Sequence, residues 1–509
     1  MNRKSSSLFT LLALLALLAL LALSLSSCSG LKQQVCTVNC NVNGATVSLT
    51  LIADTLPANP SILSFKVSVI AVTLTPTTGT ALNLQPPNPI VIDLMRLQSD
   101  TAFLGKLTNV PSGAYTIDVT LSSPEIVFFN DTASTITAGG TACAPGFVCS
   151  VTLTGVGNPK VSNFTFNATS SGQGIEIDFN LKNAISLVAG TLTVNFNPVS
   201  PVFTAFTLPR TNSNLATGQL ELIEDFTGVV TVSGSTVTIT SPKGGVLAAT
   251  STSNSFFDVS PDGNLCKVPA TLTCVANGQI ASIDAFLKSD GTVELKEFEP
   301  LIATPKDFVE GTVVSTNSLT QFDIAVTDIL GTATTSLIGG LSTGDFLRVN
   351  IPNPGTFLVD TKGLAVPAGS SGLFLGQTDT TAIHPGQTIA IHVSAFTAAT
   401  PTAFALATAD TVTLRWSRLI ANARAPFSTT LINVDTLPSY FGFTAASSFP
   451  TQVFSGTLGA DGVTNLDGIT GGTAQGLIDA KAVGLRVLFL DNAQRNAPTP
   501  FMAAKLRQH

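Results

Sequence analysis

The residues that could do chemistry are few. Residues 340–344 (GLSTG) match the G-x-S-x-G string in which serine hydrolases carry their nucleophile. That string works only as a strained turn from a strand into a helix, with a histidine base in reach. Here residues 345–351 alternate like a strand, and the chain holds three histidines, His384, His392 and His509. A glycine-rich turn is expected, and Ser342 with His384 would be the pair to test for hydrolysis. His384 and His392 flank a short apolar run with no cysteine or carboxylate companion, so they read as surface or half-buried side chains, not as metal ligands. Residues 461–468 (DGVTNLDG) are rich in oxygen atoms, but their spacing is not that of the twelve-residue calcium loop, and a plain turn is expected. Glu294, Glu297 and Glu299 crowd one short stretch. Paired carboxylates suit glycoside hydrolysis. Their alternation reads instead as a solvated last strand whose charges block edge-to-edge pairing. The expectation is therefore no catalytic residue, no metal ligand and no cofactor.

Cysteine supplies the clearest signal. Arg3 and Lys4 precede an almost pure Leu/Ala run over residues 8–25, followed by Leu25, Ser26, Ser27 and Cys28. A basic start, an apolar run and small residues before a cleavage point describe a secretory signal peptide. The last four residues resemble the lipobox of bacterial lipoproteins, which implies that Cys28 is acylated and becomes the mature N-terminus. Eighteen apolar residues are nearly enough to span a bilayer, but polar sequence follows Cys28 at once, which favours the lipoprotein. By analogy with lipoprotein sorting, Ser29 in place of Asp favours the outer membrane. The other cysteines fall into three local pairs, Cys36 with Cys40, Cys143 with Cys149 and Cys266 with Cys274. In an exported chain these read as disulfides that stiffen loops.

Composition narrows the classes further. Of 509 residues, 44% are hydrophobic and 11% charged, so there is enough apolar surface to exclude charged, core-poor disorder. A net charge of −7 argues against nucleic acid as a partner. The aromatics are 31 Phe, two Tyr and one Trp. Phe fills cores, whereas sugar platforms and protein hot spots favour Trp and Tyr. Trp416 and Tyr440 are the candidates for a ligand-binding groove.

The elements that must position these residues are strands. Alternating β-branched runs recur, for example at residues 46–52, 65–74, 115–121, 151–155, 191–196, 229–239 and 388–393, broken by Gly, Pro, Asn and Asp. Asp290-Gly291 marks a hairpin. The fold class is all-β. A signal peptide (1–27) and a lipidated tether (28–44) precede an antiparallel β-sandwich at 45–205. Two to three small β-barrel-like repeats follow, at 220–304, 305–420 and 421–509.

Leu51 to Pro57 (LIADTLP), the strand Ile92-Asp93-Leu94, the turn Pro111-Ser112-Gly113-Ala114-Tyr115 and a closing strand at 175–183 carry a resemblance. With these motifs the block resembles domain-of-unknown-function family 4382 of bacterial lipoproteins. That implies a transthyretin-like or immunoglobulin-like sandwich in the cell envelope, and no chemistry. In the repeats, Phe226-Thr227-Gly228-Val229-Val230 answers Val309-Glu310-Gly311-Thr312-Val313-Val314, and Asn277-Gly278-Gln279-Ile280 answers Pro385-Gly386-Gln387-Thr388. For the third unit, residues 484–489 supply the Gly-led strand.

The sequence thus leads to a non-catalytic outer-membrane lipoprotein, held to the membrane by its N-terminal lipid and acting as an adhesion, scaffold or surface-interaction protein. Its partner would be an envelope protein or polysaccharide. The alternatives are a ligand- or polysaccharide-binding lipoprotein and an envelope hydrolase.

Overall fold

The structure is a computed structural model. It describes residues 45–53, 61–84, 90–157, 166–168, 173–197, 200–208, 215, 219–242, 245–258, 271–288, 291–303, 305–352, 354–400, 403–441, 448–456, 462–490 and 500–508. The signal peptide and tether with Cys28, Cys36 and Cys40, together with Cys266 and His509, lie outside the described residues.

Alternating side chains build a sandwich from residue 45 onward. One sheet runs in the order Phe203–Thr207, Gln173–Phe179, Ala45–Ala53, Ala102–Val110. The opposing sheet runs Val148–Thr152, Glu125–Phe129, Ser61–Pro76, Gly113–Leu121, Phe166–Ala168, and the long Ser61–Pro76 strand also pairs with Leu82–Leu84 and Ile90–Asp93. Within these two sheets pairing is antiparallel except that Ala45–Ala53 lies parallel to Gln173–Phe179. Inward residues such as Leu49, Phe65, Ile117, Phe128 and Phe179 form one dry core. Within it Phe179 meets Phe203 edge-on at 4.9 Å, which is the core-filling role that the Phe-rich composition implies. Tyr115 leaves the predicted turn with its ring buried and its hydroxyl donating to the Pro111 carbonyl at 2.7 Å, so the hydroxyl is tied to the chain and not simply wet.

Three barrels follow, and their strand orders are identical. Numbered within a barrel, the order is 3-2-1-5-6-4, closed where strand 3 pairs parallel with strand 6. The six strands are Gln219–Ser233, Thr236–Ser241, Gly245–Thr250, Phe256–Phe257, Ile280–Lys288 and Val293–Ile302 in barrel 1. In barrel 2 they are Phe308–Ser318, Gln321–Gly331, Phe346–Asn350, Thr356–Val359, Thr388–Thr397 and Ala405–Arg415. In barrel 3 they are Ser417–Arg424, Leu431–Asp435, Phe449–Val453, Asn465–Asp467, Ala482–Phe489 and Phe501–Gln508. Barrel 3 thus starts at Ser417, not 421. The run at 229–239 is a hairpin, broken at Gly234 (φ 58°), and not one strand.

The shared glycines have a steric cause. A Cβ on Gly228 would sit 2.3 Å from the Thr240 carbonyl oxygen, and one on Gly311 2.7 Å from that of Ala325, so strand 2 can cross close over strand 1 only at a bare backbone. At the turn into strand 5, Gly278 and Gly386 adopt φ of 86° and 93°. Their hydrogen-bond counterpart in barrel 3 is Ala480 (φ 59°), not Gly484. The predicted glycine of the third unit is therefore displaced: Gly484 pairs with Arg507 inside strand 5.

Candidate functional site

The four units do not form a linear stack. They meet at one buried cluster of charge, because strands 1, 5 and 6 of the barrels turn polar residues away from their own cores and toward each other. Barrel 1 contributes acids: Glu224 and Asp225 from strand 1, Asp284 from strand 5, Glu297 and Glu299 from strand 6. Barrel 3 contributes bases at matching places: Arg418 from strand 1, Arg486 from strand 5, Lys505 and Arg507 from strand 6. The correspondence is visible in the pairing register, where Asp284 faces Glu297 in barrel 1 and Arg486 faces Lys505 in barrel 3.

Arg486, wholly buried, grips Glu224 and Asp225. Lys505 lies 3.7 Å from Glu224, and Asn465 donates to the same carboxylate at 2.9 Å. Arg418 reaches Asp100 of the sandwich and Asp225 of barrel 1, both at 2.6 Å, and lies 3.9 Å from Glu310 of barrel 2. Lys362 of barrel 2 bonds Asp225 at 3.0 Å and also Asp284. From the sandwich, Arg96 meets Asp328 at 2.7 Å and Glu310 at 3.5 Å. Arg507 donates to the carbonyls of Leu97 and Asp100 at 2.9 and 3.0 Å.

Burial is costly for each of these charges alone, so the pairs decide the protonation states. Burial pushes the Glu224 carboxyl up, but Lys505, Arg486 and Lys362 outweigh it and hold its pKa at about 2. Asp225 sits well below the usual carboxylate range, because Arg486, Lys362 and Arg418 overcome its burial. Glu299 goes the other way: burial, reinforced by Asp360 and Glu297, holds it well above that range despite Lys362. Glu297 and Glu299 are 1% and 5% exposed, which overturns the expectation of a solvated edge. Alternation reveals which residues share a face, not that another unit covers that face.

Cavities border this cluster. One of about 120 Å³ lies between the sandwich and barrels 1 and 2, lined by Arg96, Asp100, Glu224, Asp225 and Asp328 among others. Beside it is a cleft of about 630 Å³ whose walls include Lys66, Ser68, Ser122, Ser123, Ser241 and Thr343. Its lining is rich in hydroxyls and has no aromatic residue.

The residues singled out in the sequence lie elsewhere. Trp416 is fully enclosed in the core of barrel 2, with the Arg486 guanidinium 5.7 Å from its ring centre. No external ligand can stack on it. Tyr440 lies against Phe441 at 5.0 Å, and burial pushes its phenol well up. Neither lines the cleft. Ser342 is exposed in a turn in which its N–H is taken by Asp345 at 2.7 Å, and a strand, not a helix, follows. His392 binds Asp410, while His384 occupies the turn before strand 5 of barrel 2. Of the oxygen-rich loop, Asp461 lies outside the described residues, Asn465 binds Glu224 and Asp467 binds Arg507. Cys143 and Cys149 form the expected disulfide. Cys274 is also disulfide-bonded.

The charge cluster itself was not found by sequence reasoning. Its partners are hundreds of residues apart, and the one available signal was the exchange of acids for bases between corresponding strands of barrels 1 and 3. No family model, curated protein or solved structure matches this chain.

Proposed function

We propose that this chain is a non-catalytic, lipid-tethered scaffold of the bacterial envelope that presents a rigid surface to an envelope protein or polysaccharide. The observation that carries this reading is the buried charge cluster: the sandwich and all three barrels are bonded to one another through it. A body locked in this way transmits position from a tether to an outer surface. The signal-and-Cys28 pattern supports the tether, and the Cys143–Cys149 bridge supports an oxidising compartment.

The test has two arms. Metabolic palmitate labelling should mark the wild type and not Cys28→Ser, and Cys28→Ser should move to the soluble fraction. Cross-linking in intact cells should then join the wild type to one recurrent envelope component. An unlabelled wild type would refute the tether. Turnover of an envelope ester or glycoside that is lost in Ser342→Ala or His384→Ala would refute the scaffold.

A second reading, a ligand-binding lipoprotein, is favoured by the cleft of about 630 Å³. Its hydroxyls and Lys66 suit a polar, hydrogen-bonding ligand and not one held by ring stacking. Ser241→Trp, placed to fill the cleft, should abolish such binding in calorimetry.

A further inference from the structure

The three barrels can be compared with one another, and at one place barrel 1 departs from its siblings. In each, an aspartate stands at the end of strand 4: Asp258, Asp360 and Asp467. The N–H groups of Asp258 and Asp360 donate to strand 6, at Phe298 (2.8 Å) and Leu414 (3.0 Å). In barrel 2 the Asp360 carboxylate binds Arg415 of strand 6. In barrel 3 Asp467 binds Arg507 of strand 6 at 2.7 Å. Both arginines are almost wholly buried. Strand 6 of barrel 1 has no arginine. It offers Glu297 and Glu299 instead, and one oxygen from each of these and from Asp258 lie within 4.8 Å of one another. Glu299 takes the place of Arg507: its cross-strand partner Ser282 corresponds to Gly484, the partner of Arg507.

Glu299 is also 95% buried, and neither of its carboxylate oxygens accepts a hydrogen bond. Such a group is expensive to leave alone. Among the described residues, the cations near Glu299 are already engaged. Lys296 donates to Glu297 at 3.2 Å and lies 3.8 Å from Asp284, and Lys362 bonds Asp225 and Asp284.

We propose that barrel 1 takes from solution the positive charge that barrels 2 and 3 carry as arginine, and that Asp258, Glu297 and Glu299 bind a hard divalent cation of the calcium class. The donors are all oxygen, with no histidine or cysteine in the group, which disfavours zinc. Three oxygens no more than 4.8 Å apart share a centre at most about 2.8 Å from each, so at most a small closure reaches the ~2.3–2.6 Å of calcium. Three carboxylates supply between three and six of calcium's ligands, and water completes the shell. Magnesium, which demands shorter and near-ideal octahedral contacts, fits less well. Asp258 is half-buried at the rim, so the ion has a way in.

The test is calcium chloride titrated into the full-length, chelator-stripped protein at neutral pH, read by calorimetry and by melting temperature. One equivalent should bind, with a dissociation constant of about 0.1–1 mM or tighter, and should raise the melting temperature. Glu299→Gln, which keeps the shape, should weaken binding about tenfold or more. Glu299→Arg should remove the calcium response altogether by restoring the arrangement of barrel 3. Absence of saturable binding by the wild type would overturn the proposal. So would calcium binding that Glu299→Gln leaves unchanged.

Discussion

Arg486→Met tests whether the charge cluster holds the units together. Arg486 is wholly buried, contacts Glu224 and Asp225, and comes within 3.9 Å of Asp100. Methionine fills a similar volume without charge, so the variant leaves a carboxylate pair short of a cation instead of opening a large cavity. Removing one partner of a buried ion pair costs about 3–5 kcal/mol. Lys505, Lys362 and Arg418 remain near the two acids, which places the expected loss at the lower end, about 3 kcal/mol. At about 2–4 °C per kcal/mol the melting temperature should fall by roughly 6–12 °C. The chain carries its own reporter: Trp416 is its one tryptophan and lies 5.7 Å from the Arg486 guanidinium. Urea unfolding followed by tryptophan fluorescence should shift to lower midpoint, and the calorimetric transition should split as barrels 1 and 3 uncouple. Glu224→Gln combined with Arg486→Met should cost less than the sum of the single changes, with a coupling of about 0.5–3 kcal/mol. A loss under about 1 kcal/mol with one unchanged transition would show that the pairs are incidental and that apolar packing alone joins the units.

Acid should dissolve the same cluster. The folded pKa values of Glu224 and Asp225 lie below those of the unfolded chain, so their contribution is complete above about pH 4.3 and is lost as pH falls toward 2. Circular dichroism against pH should show this loss, and Glu224→Gln should diminish it. Glu299 has the opposite sign: its raised carboxyl costs nothing below about pH 4.3 and destabilises as pH rises past it, so in chelator Glu299→Gln should stabilise the protein at neutral pH. Gly311→Val should destabilise barrel 2 by about 2–4 kcal/mol, since even its Cβ would stand 2.7 Å from the Ala325 carbonyl oxygen; an unchanged denaturation midpoint would refute the steric reading of the corner.

The strand pattern and the first two barrels were legible because alternation and glycine spacing are local. Gly228 with Gly311, and Gly278 with Gly386, mark equivalent corners whatever lies around them. The third barrel was blurred because alanines, Ala421 and Ala480, occupy those corners, the second still at positive φ. The charged residues were misread for a different reason. Glu297, Glu299, Lys505 and Arg507 alternate along their strands just as solvent-facing residues do, and only the docking of the units against one another buries them. Trp416 drew attention as an amphipathic ring, yet its place at the junction of barrels 2 and 3 puts it in the interior.

The division of acids and bases between barrels 1 and 3 also sets an order of assembly. A polypeptide made from its N-terminus delivers Glu224, Asp225 and Asp284 early, while Arg486, Lys505 and Arg507 emerge much later. Until they arrive, barrel 1 must keep its anionic face hydrated, and barrel 2 brings Lys362 to it. Closure is therefore a late event. A nascent chain stalled before residue 486 would carry a negatively charged, unmated surface, which repels its own copies and discourages premature self-association.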